Sequence, residues 1–129
     1  MKLLLDTQIF LWYISADKRL PVAIQQNIQL ASNEVYLSVV SVWETIIKYQ
    51  LGKLPLSQPA EVYLPMQRKR HLIANLNIDE ACTVRLATLP ALHRDPFDRM
   101  LICQAIEHNL TIATVDHAII TYPVKTLSN

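Results

Sequence analysis

The chain has 129 residues, 51% of them hydrophobic, and its 12 Lys and Arg against 11 Asp and Glu give a formal net charge of +1. That length suits one domain, residues 1–129, whose core needs no disulfide or metal staple, and the near-neutral charge excludes bulk attraction to nucleic acid, leaving only local patches for such binding. The single glycine, Gly52, excludes phosphate-cradling loops of the Walker or dinucleotide-binding kind.

The opening Met1-Lys2-Leu3-Leu4-Leu5 is cut by Asp6 before a signal-peptide core can form, and no later stretch reaches membrane length. A soluble cytoplasmic protein with no membrane association is expected. Leu3-Leu4-Leu5 reads as a short buried strand with Asp6-Thr7 at its carboxyl end. Residues 7–15 follow as a short helix, and Leu20, Ile24, Ile28 and Ala31 recur at the spacing of a second one. Val35-Tyr36-Leu37-Ser38 is a strand rich in β-formers. Ser41-Val42-Trp43-Glu44 has the S-x-x-E pattern of a capping box, starting a helix that runs to Leu51 and stops at Gly52.

A loop over 53–59 leads to a helix over 60–69, which ends in the one dense basic run, Arg68-Lys69-Arg70-His71. Leu72-Ile73-Ala74 begins a third strand. Residues 79–89 read as a helix with Asp79 and Glu80 as caps, Leu110-Thr111-Ile112-Ala113 as a fourth strand leading into Thr114-Val115-Asp116, and Val124-Lys125 as a short fifth. Cys82 and Cys103 form no C-x-x-C pair and read as small core hydrophobes in a reducing compartment.

Between these elements lies His93-Arg94-Asp95-Pro96-Phe97-Asp98-Arg99-Met100-Leu101-Ile102. Pro96 suits the first turn of a helix and Asp95 its N-cap. Asp98 then shares a side with Leu101, Ile102 and Ala105, at spacings of three, four and seven. A carboxylate on the apolar side of a helix has to be protonated, hydrogen-bonded, paired with a cation or bound to a metal.

Short apolar strands alternating with amphipathic helices predict an α/β fold, a three-layer α/β/α sandwich on a four- to five-stranded parallel sheet. Ligands bind such sheets outside the carboxyl ends of the strands, at a topological switch point. Asp6, Glu44 and Asp116 follow strands and Asp98 opens the helix into the fourth, so four carboxylates can converge on one edge. Taken singly, each has a simpler role: Asp6, Asp95 and Asp116 as helix caps, Glu44 as the return half of its capping box or an i, i+4 partner of Lys48.

Convergence carries an electrostatic cost. Two like charges about 4 Å apart repel by about 4 kcal/mol at an effective dielectric of about 20, so the cluster needs a cation or protons. Hard oxygen ligands without a Cys or His constellation suit Mg²⁺ or Mn²⁺, ions that lower the pKa of water and clamp phosphodiester oxygens during in-line displacement. Metal-dependent phosphodiester hydrolysis follows. Thr7 and Thr114 are candidates to hydrogen-bond the carboxylates or substrate, or to cap locally. Arg94 and Arg99 are candidates to reach phosphates, and Arg68 to Arg70 either extend that track or form a solvated helix end. His71 and His93 have no assigned role. Trp12 and Trp43 read as core or dimer packing rather than base stacking.

The blocks L-L-L-D-T, S-V-W-E, H-R-D-P-F-D-R-M-L-I and T-V-D, in this order and spanning essentially the whole chain, resemble the PIN-domain nucleases, specifically the VapC toxins of bacterial toxin–antitoxin pairs. H-R-D-P-F-D-R is the specific block; D-T or T-x-D alone is weak. The resemblance implies a compact endoribonuclease using Mg²⁺ or Mn²⁺, a homodimer, silenced by a cognate antitoxin. By position, Asp6, Glu44, Asp98 and Asp116 match the family's acidic quartet and Asp95 is a neighbouring acid. It also implies Asp6 and Asp98 as chief metal ligands, with Glu44 and Asp116 completing the shell directly or through water. Gln8 departs from similar chains, which often carry His there. Two other readings stand beside this one: an idle PIN-like module acting through protein contacts, and a metal-dependent phosphatase or DNA nuclease.

Overall fold

Strand β1 (Lys2–Leu5) forms the centre of a five-stranded sheet in a computed structural model that describes all 129 residues. Its neighbours are β2 (Glu34–Ser38) on one side and β4 (Thr111–Ala113) on the other, with β3 (Ala74–Leu76) and β5 (Thr126–Leu127) at the edges, in the order β3-β2-β1-β4-β5. Every pairing is parallel. The helices are α1 (Thr7–Ile14), α2 (Val22–Gln29), α3 (Val39–Gln50), α4 (Ala60–Arg70), α5 (Glu80–Arg85), α6 (Pro96–His108) and α7 (His117–Ile120). This is the expected α/β/α sandwich.

The three leucines of β1 explain the layering. Side chains alternate across a strand, so Leu3 and Leu5 enter one core with Ile9, Phe10, Ile24 and Leu64, while Leu4 enters the other with Val40, Leu101, Ile102 and Ile119. All three are 0% exposed, as a central parallel strand covered on both faces requires. Each fully buried leucine contributes about 1.5–3 kcal/mol of transfer free energy. Across the second layer, Ser38 Oγ donates to Gln104 Oε1 at 2.6 Å, and Gln104 Nε2 donates to Asn77 O at 3.2 Å, fixing α6 against β2 and the segment after β3.

The local signals around α6 appear as read. Asp95 is its N-cap, Pro96 stands in its first turn, and Asn109 closes it in the left-handed conformation at φ 55°. Gly52, at φ 73°, stands just past Leu51, the C-cap of α3, where Lys53 N donates back to Lys48 O at 2.9 Å.

Several boundaries differ from expectation. Helix α3 starts at Val39, not at Ser41, because Ser38 caps it by accepting from Val40 N at 3.0 Å; Ser41 lies inside the helix and no capping box forms with Glu44. Strand β3 covers Ala74–Leu76 rather than beginning at Leu72, since Leu72 is in the left-handed region at φ 58° and 91% exposed. Helix α2 stops at Gln29, leaving Ala31 exposed in a turn. Helix α5 ends at Arg85, well before Leu89, and the fifth strand forms at 126–127 instead of 124–125. Trp43 is 57% exposed and stacks edge-to-face on Phe97 at 5.0 Å rather than entering the core. Cys82 and Cys103 are both buried and unpaired. No helix is long and apolar enough to cross a membrane.

Candidate active site

The sheet order reverses between β1 and β4, and a cavity of about 550 Å³ opens beside the carboxyl ends of these strands. Asp6, Glu44, Asp95, Asp98 and Asp116 all line it, together with Thr7, Gln8, Thr45, Lys48 and Lys53. Asp6, Glu44 and Asp98 are buried, the other two acids less so.

The capping roles divide these acids. Asp95 Oδ1 accepts from the amides of Phe97 (2.9 Å) and Asp98 (3.1 Å), and Asp116 Oδ1 accepts from Ala118 N at 2.9 Å, so both are caps that keep a second oxygen free. Asp6 occupies the N-cap position of α1 without a well-formed side-chain cap, the Gln8 amide giving only the weakest of the pulls on its carboxyl. Its Oδ2 instead accepts from Thr114 Oγ1 at 2.7 Å. Asp98 caps nothing.

Glu44 has other partners. Thr7 Oγ1 donates to its Oε1 at 2.8 Å and lies the same distance from Ser41 Oγ, while Lys48 Nζ reaches its Oε2 at 2.9 Å. That hydrogen bond holds the Lys48 ammonium above its ordinary pKa. The i, i+4 pair read from the sequence is therefore present, one turn along α3.

Burial and crowding drive two carboxyls far from their usual range. Burial, then the charges of Asp116 and Glu44, push Asp6 up to about 6 against the opposing pulls of the Thr114 hydroxyl and, more weakly, the Gln8 amide. Burial, then Asp95, Asp6, Asp116 and Glu44, push Asp98 up to about 8. Beyond its neighbours' charge, Asp98 has one polar side-chain contact, His93 Nε2 at 3.4 Å, whose ring is anchored by Nδ1 to Tyr122 Oη at 2.8 Å. Two lysines and two threonine hydroxyls do not neutralise five acids. Such an all-oxygen donor set fits a hard divalent cation. No three of the carboxylates bring their ligand atoms within 4.8 Å of one another.

The PIN domain family model matches residues 3–125. The chain belongs to the PIN domain family. A stretch of 56 residues is 39% identical to Ribonuclease VapC16 of Mycobacterium tuberculosis (strain ATCC 25618 / H37Rv), covering 43% of this chain and 40% of that relative's length. Among solved structures, VapBC2 from Rickettsia felis bound to a DNA fragment from their promoter superposes with a TM-score of 0.74 at 19% identity over 98% of both chains. VapBC-1 from nontypeable Haemophilus influenzae does so with a TM-score of 0.69 at 20% identity over 99% of this chain and 98% of that one.

In this PIN domain the arginines chosen from sequence stand away from the cavity. Arg99 Nη1 donates to Pro90 O at 2.8 Å and Tyr122 Oη at 3.0 Å, bracing the segment before α6, because its position on the helix is turned away from the side that carries Asp98. Arg94 is exposed and does not line the cavity. Arg68 Nη1 donates to Ile73 O at 2.9 Å, and none of Arg68, Lys69 and Arg70 reaches the cavity. Thr7 and Thr114 are engaged with the acids themselves. The cations that do line this PIN domain's cavity are Lys48 and Lys53, one turn and nine residues beyond Glu44. His93, no credible base on sequence grounds, stands five residues before Asp98, and its ring comes back to that carboxyl at the first turn of α6.

Proposed function

We propose that this chain is an Mg²⁺- or Mn²⁺-dependent endoribonuclease, the toxin of a type II toxin–antitoxin pair. The observation that carries the reading is Asp6: it stands at a helix N-cap, yet its buried carboxylate is held chiefly by Thr114 across the sheet and crowded by Asp98, Glu44 and Asp116 at the switch point. A purely structural aspartate gains nothing from that arrangement. The 39% identity to a protein named a ribonuclease supports RNA as the substrate class.

In this reading Asp6 and Asp98 would be the chief residues to hold the cation, with Glu44, Asp116 and Asp95 as further carboxylates available to it directly or through water. When bound, the ion lowers the pKa of water and stabilises charge on the departing oxygen. Thr114 orients Asp6, and Thr7 with Lys48 orients Glu44. Lys53, exposed at the cavity rim, supplies positive charge for the phosphate backbone. Water adds to phosphorus as the P–O3′ bond breaks, leaving a 5′-phosphate and a 3′-hydroxyl, and no protein nucleophile is required.

A cognate antitoxin, a homodimeric state and a cytoplasmic location belong to the same proposal. Exposed apolar side chains such as Trp43, Val62 and Met66 offer surface for protein contacts. The test compares single-stranded RNA, DNA and a small phosphate ester with Mn²⁺ and with EDTA. Metal-dependent cleavage of RNA alone is expected. Equal attack on DNA or the ester moves the reading to a broader phosphodiesterase or phosphatase, and no hydrolysis of any substrate favours an idle module.

A further inference from the structure

A second cluster of metal-ligating side chains lies at the opposite end of α6 from the acidic cavity. His108 closes that helix, ten positions beyond Asp98 and so about 15 Å further along its axis. Facing it, Asp79 caps α5: its Oδ1 accepts from Cys82 N at 2.9 Å, which leaves Oδ2 to meet His108 Nε2 at 3.0 Å. Cys82 Sγ lies 3.6 Å from the same nitrogen. The three donor atoms all lie within 4.8 Å of one another, and two of the residues, Asp79 and His108, open to solvent while Cys82 forms the buried floor.

We propose that Asp79 Oδ2, Cys82 Sγ and His108 Nε2 form a three-ligand site for Zn²⁺ or a similar borderline-soft divalent cation, with the fourth position open to water. Tetrahedral zinc with ordinary bond lengths places sulfur and nitrogen about 3.6 Å apart and oxygen and nitrogen about 3.4 Å apart. The observed 3.6 Å matches the first, and the observed 3.0 Å needs only a small opening of the exposed Asp79 and His108 side chains. The sulfur, nitrogen and oxygen donors separate this site chemically from the acidic cavity, whose oxygen-only lining suits Mg²⁺ or Mn²⁺. One thiolate and one carboxylate balance the ion's two charges. Binding releases the thiol proton, so affinity falls as pH falls. Without a cation, burial and then Asp79 push the Cys82 thiol up to about 12, and it stays protonated. The bound ion ties α5 to the end of α6.

Cobalt reads the site directly, because a cysteine thiolate bonded to Co²⁺ gives a ligand-to-metal charge-transfer band in the near ultraviolet. Titrating Co²⁺ into the reduced 129-residue chain is expected to raise that band, with Zn²⁺ abolishing it and excess Mg²⁺ leaving it unchanged. Cys82→Ser and His108→Ala are expected to lose the band, the latter at an exposed position where folding is not at stake, and Cys103→Ser and Asp98→Asn to keep it. No band, or a band that survives in Cys82→Ser, overturns the proposal. The signal reports sulfur ligation only, so it is independent of whether the acidic cavity cleaves RNA.

Discussion

Thr114 Oγ1 donates a 2.7 Å hydrogen bond to Asp6 Oδ2, joining the ends of β4 and β1 although the two residues are 108 positions apart. These strands are neighbours because the chain reverses its order across the sheet there, so the bond exists only once the fold is complete. The same hydroxyl accepts from Asp116 N at 3.0 Å, tying a second pocket acid to the first.

Thr114→Val keeps the shape and removes both bonds. Asp6 loses its favourable hydroxyl and its pKa rises further above about 6, so cleavage at neutral pH falls several-fold and recovers toward alkaline pH. Stability drops by about 1–3 kcal/mol, since the Asp116 amide loses its partner as well. A pH–rate profile and a denaturant titration check the two effects.

Metal-free protein loses stability as pH rises. Asp6 (about 6) and Asp98 (about 8) bind protons more tightly in the folded chain than in the unfolded one, where both sit at 3.8. Their contribution is therefore full below the unfolded value and is lost as pH climbs through 6 and then 8. Asp17 and Asp79, shifted downward, act with the opposite sign, but only below about pH 4. Melting temperatures in EDTA across this range should fall, and saturating Mn²⁺ should raise them most at the alkaline end.

Lys48 competes with any cation for Glu44, its partner at 2.9 Å. Lys48→Gln is expected to bind Mn²⁺ a few-fold more tightly by calorimetry while melting lower in EDTA, because the acids lose their nearest counter-charge. Unchanged affinity would detach Glu44 from the ion's shell.

Arg94 and Arg99 separate by their contacts. Arg99→Ala removes hydrogen bonds to Pro90 O and Tyr122 Oη and costs about 1–2 kcal/mol of stability, with the Michaelis constant for RNA unchanged. Arg94→Ala leaves stability within about 0.5 kcal/mol, as at any exposed position without partners.

What the sequence disclosed was what neighbours in sequence determine. Asp95 and Pro96 start α6, Gly52 ends α3, and the i+3, i+4 pattern after Asp98 turns that acid inward, all without distant help. The convergence of the acids followed from the parallel sheet alone. Partners far along the chain were hidden: Arg99 with Tyr122, Thr114 with Asp6, Ser38 with Gln104, Cys82 with His108. The S-x-x-E pattern at Ser41 misled because the strand-to-helix junction is set by Ser38 at the end of β2, and a helix already under way carries Ser41 to its buried side. Of the two places hydrophobicity offers Trp43, core or dimer packing, the core is not taken: α3 turns it to solvent while Glu44 is buried.

The central claim, that these carboxylates hold the ion that drives phosphodiester hydrolysis, is tested most directly by cleavage of a mixed RNA pool. Three reactions suffice: the parent protein with Mn²⁺, the parent with EDTA, and Asp98→Asn with Mn²⁺ after its melting curve has shown it folded. Cleavage in the first reaction alone is predicted, with the metal-free variant melting at or above the parent at pH 8 because the strained charge is gone. An Asp98→Asn protein that cuts as fast as the parent would contradict the account.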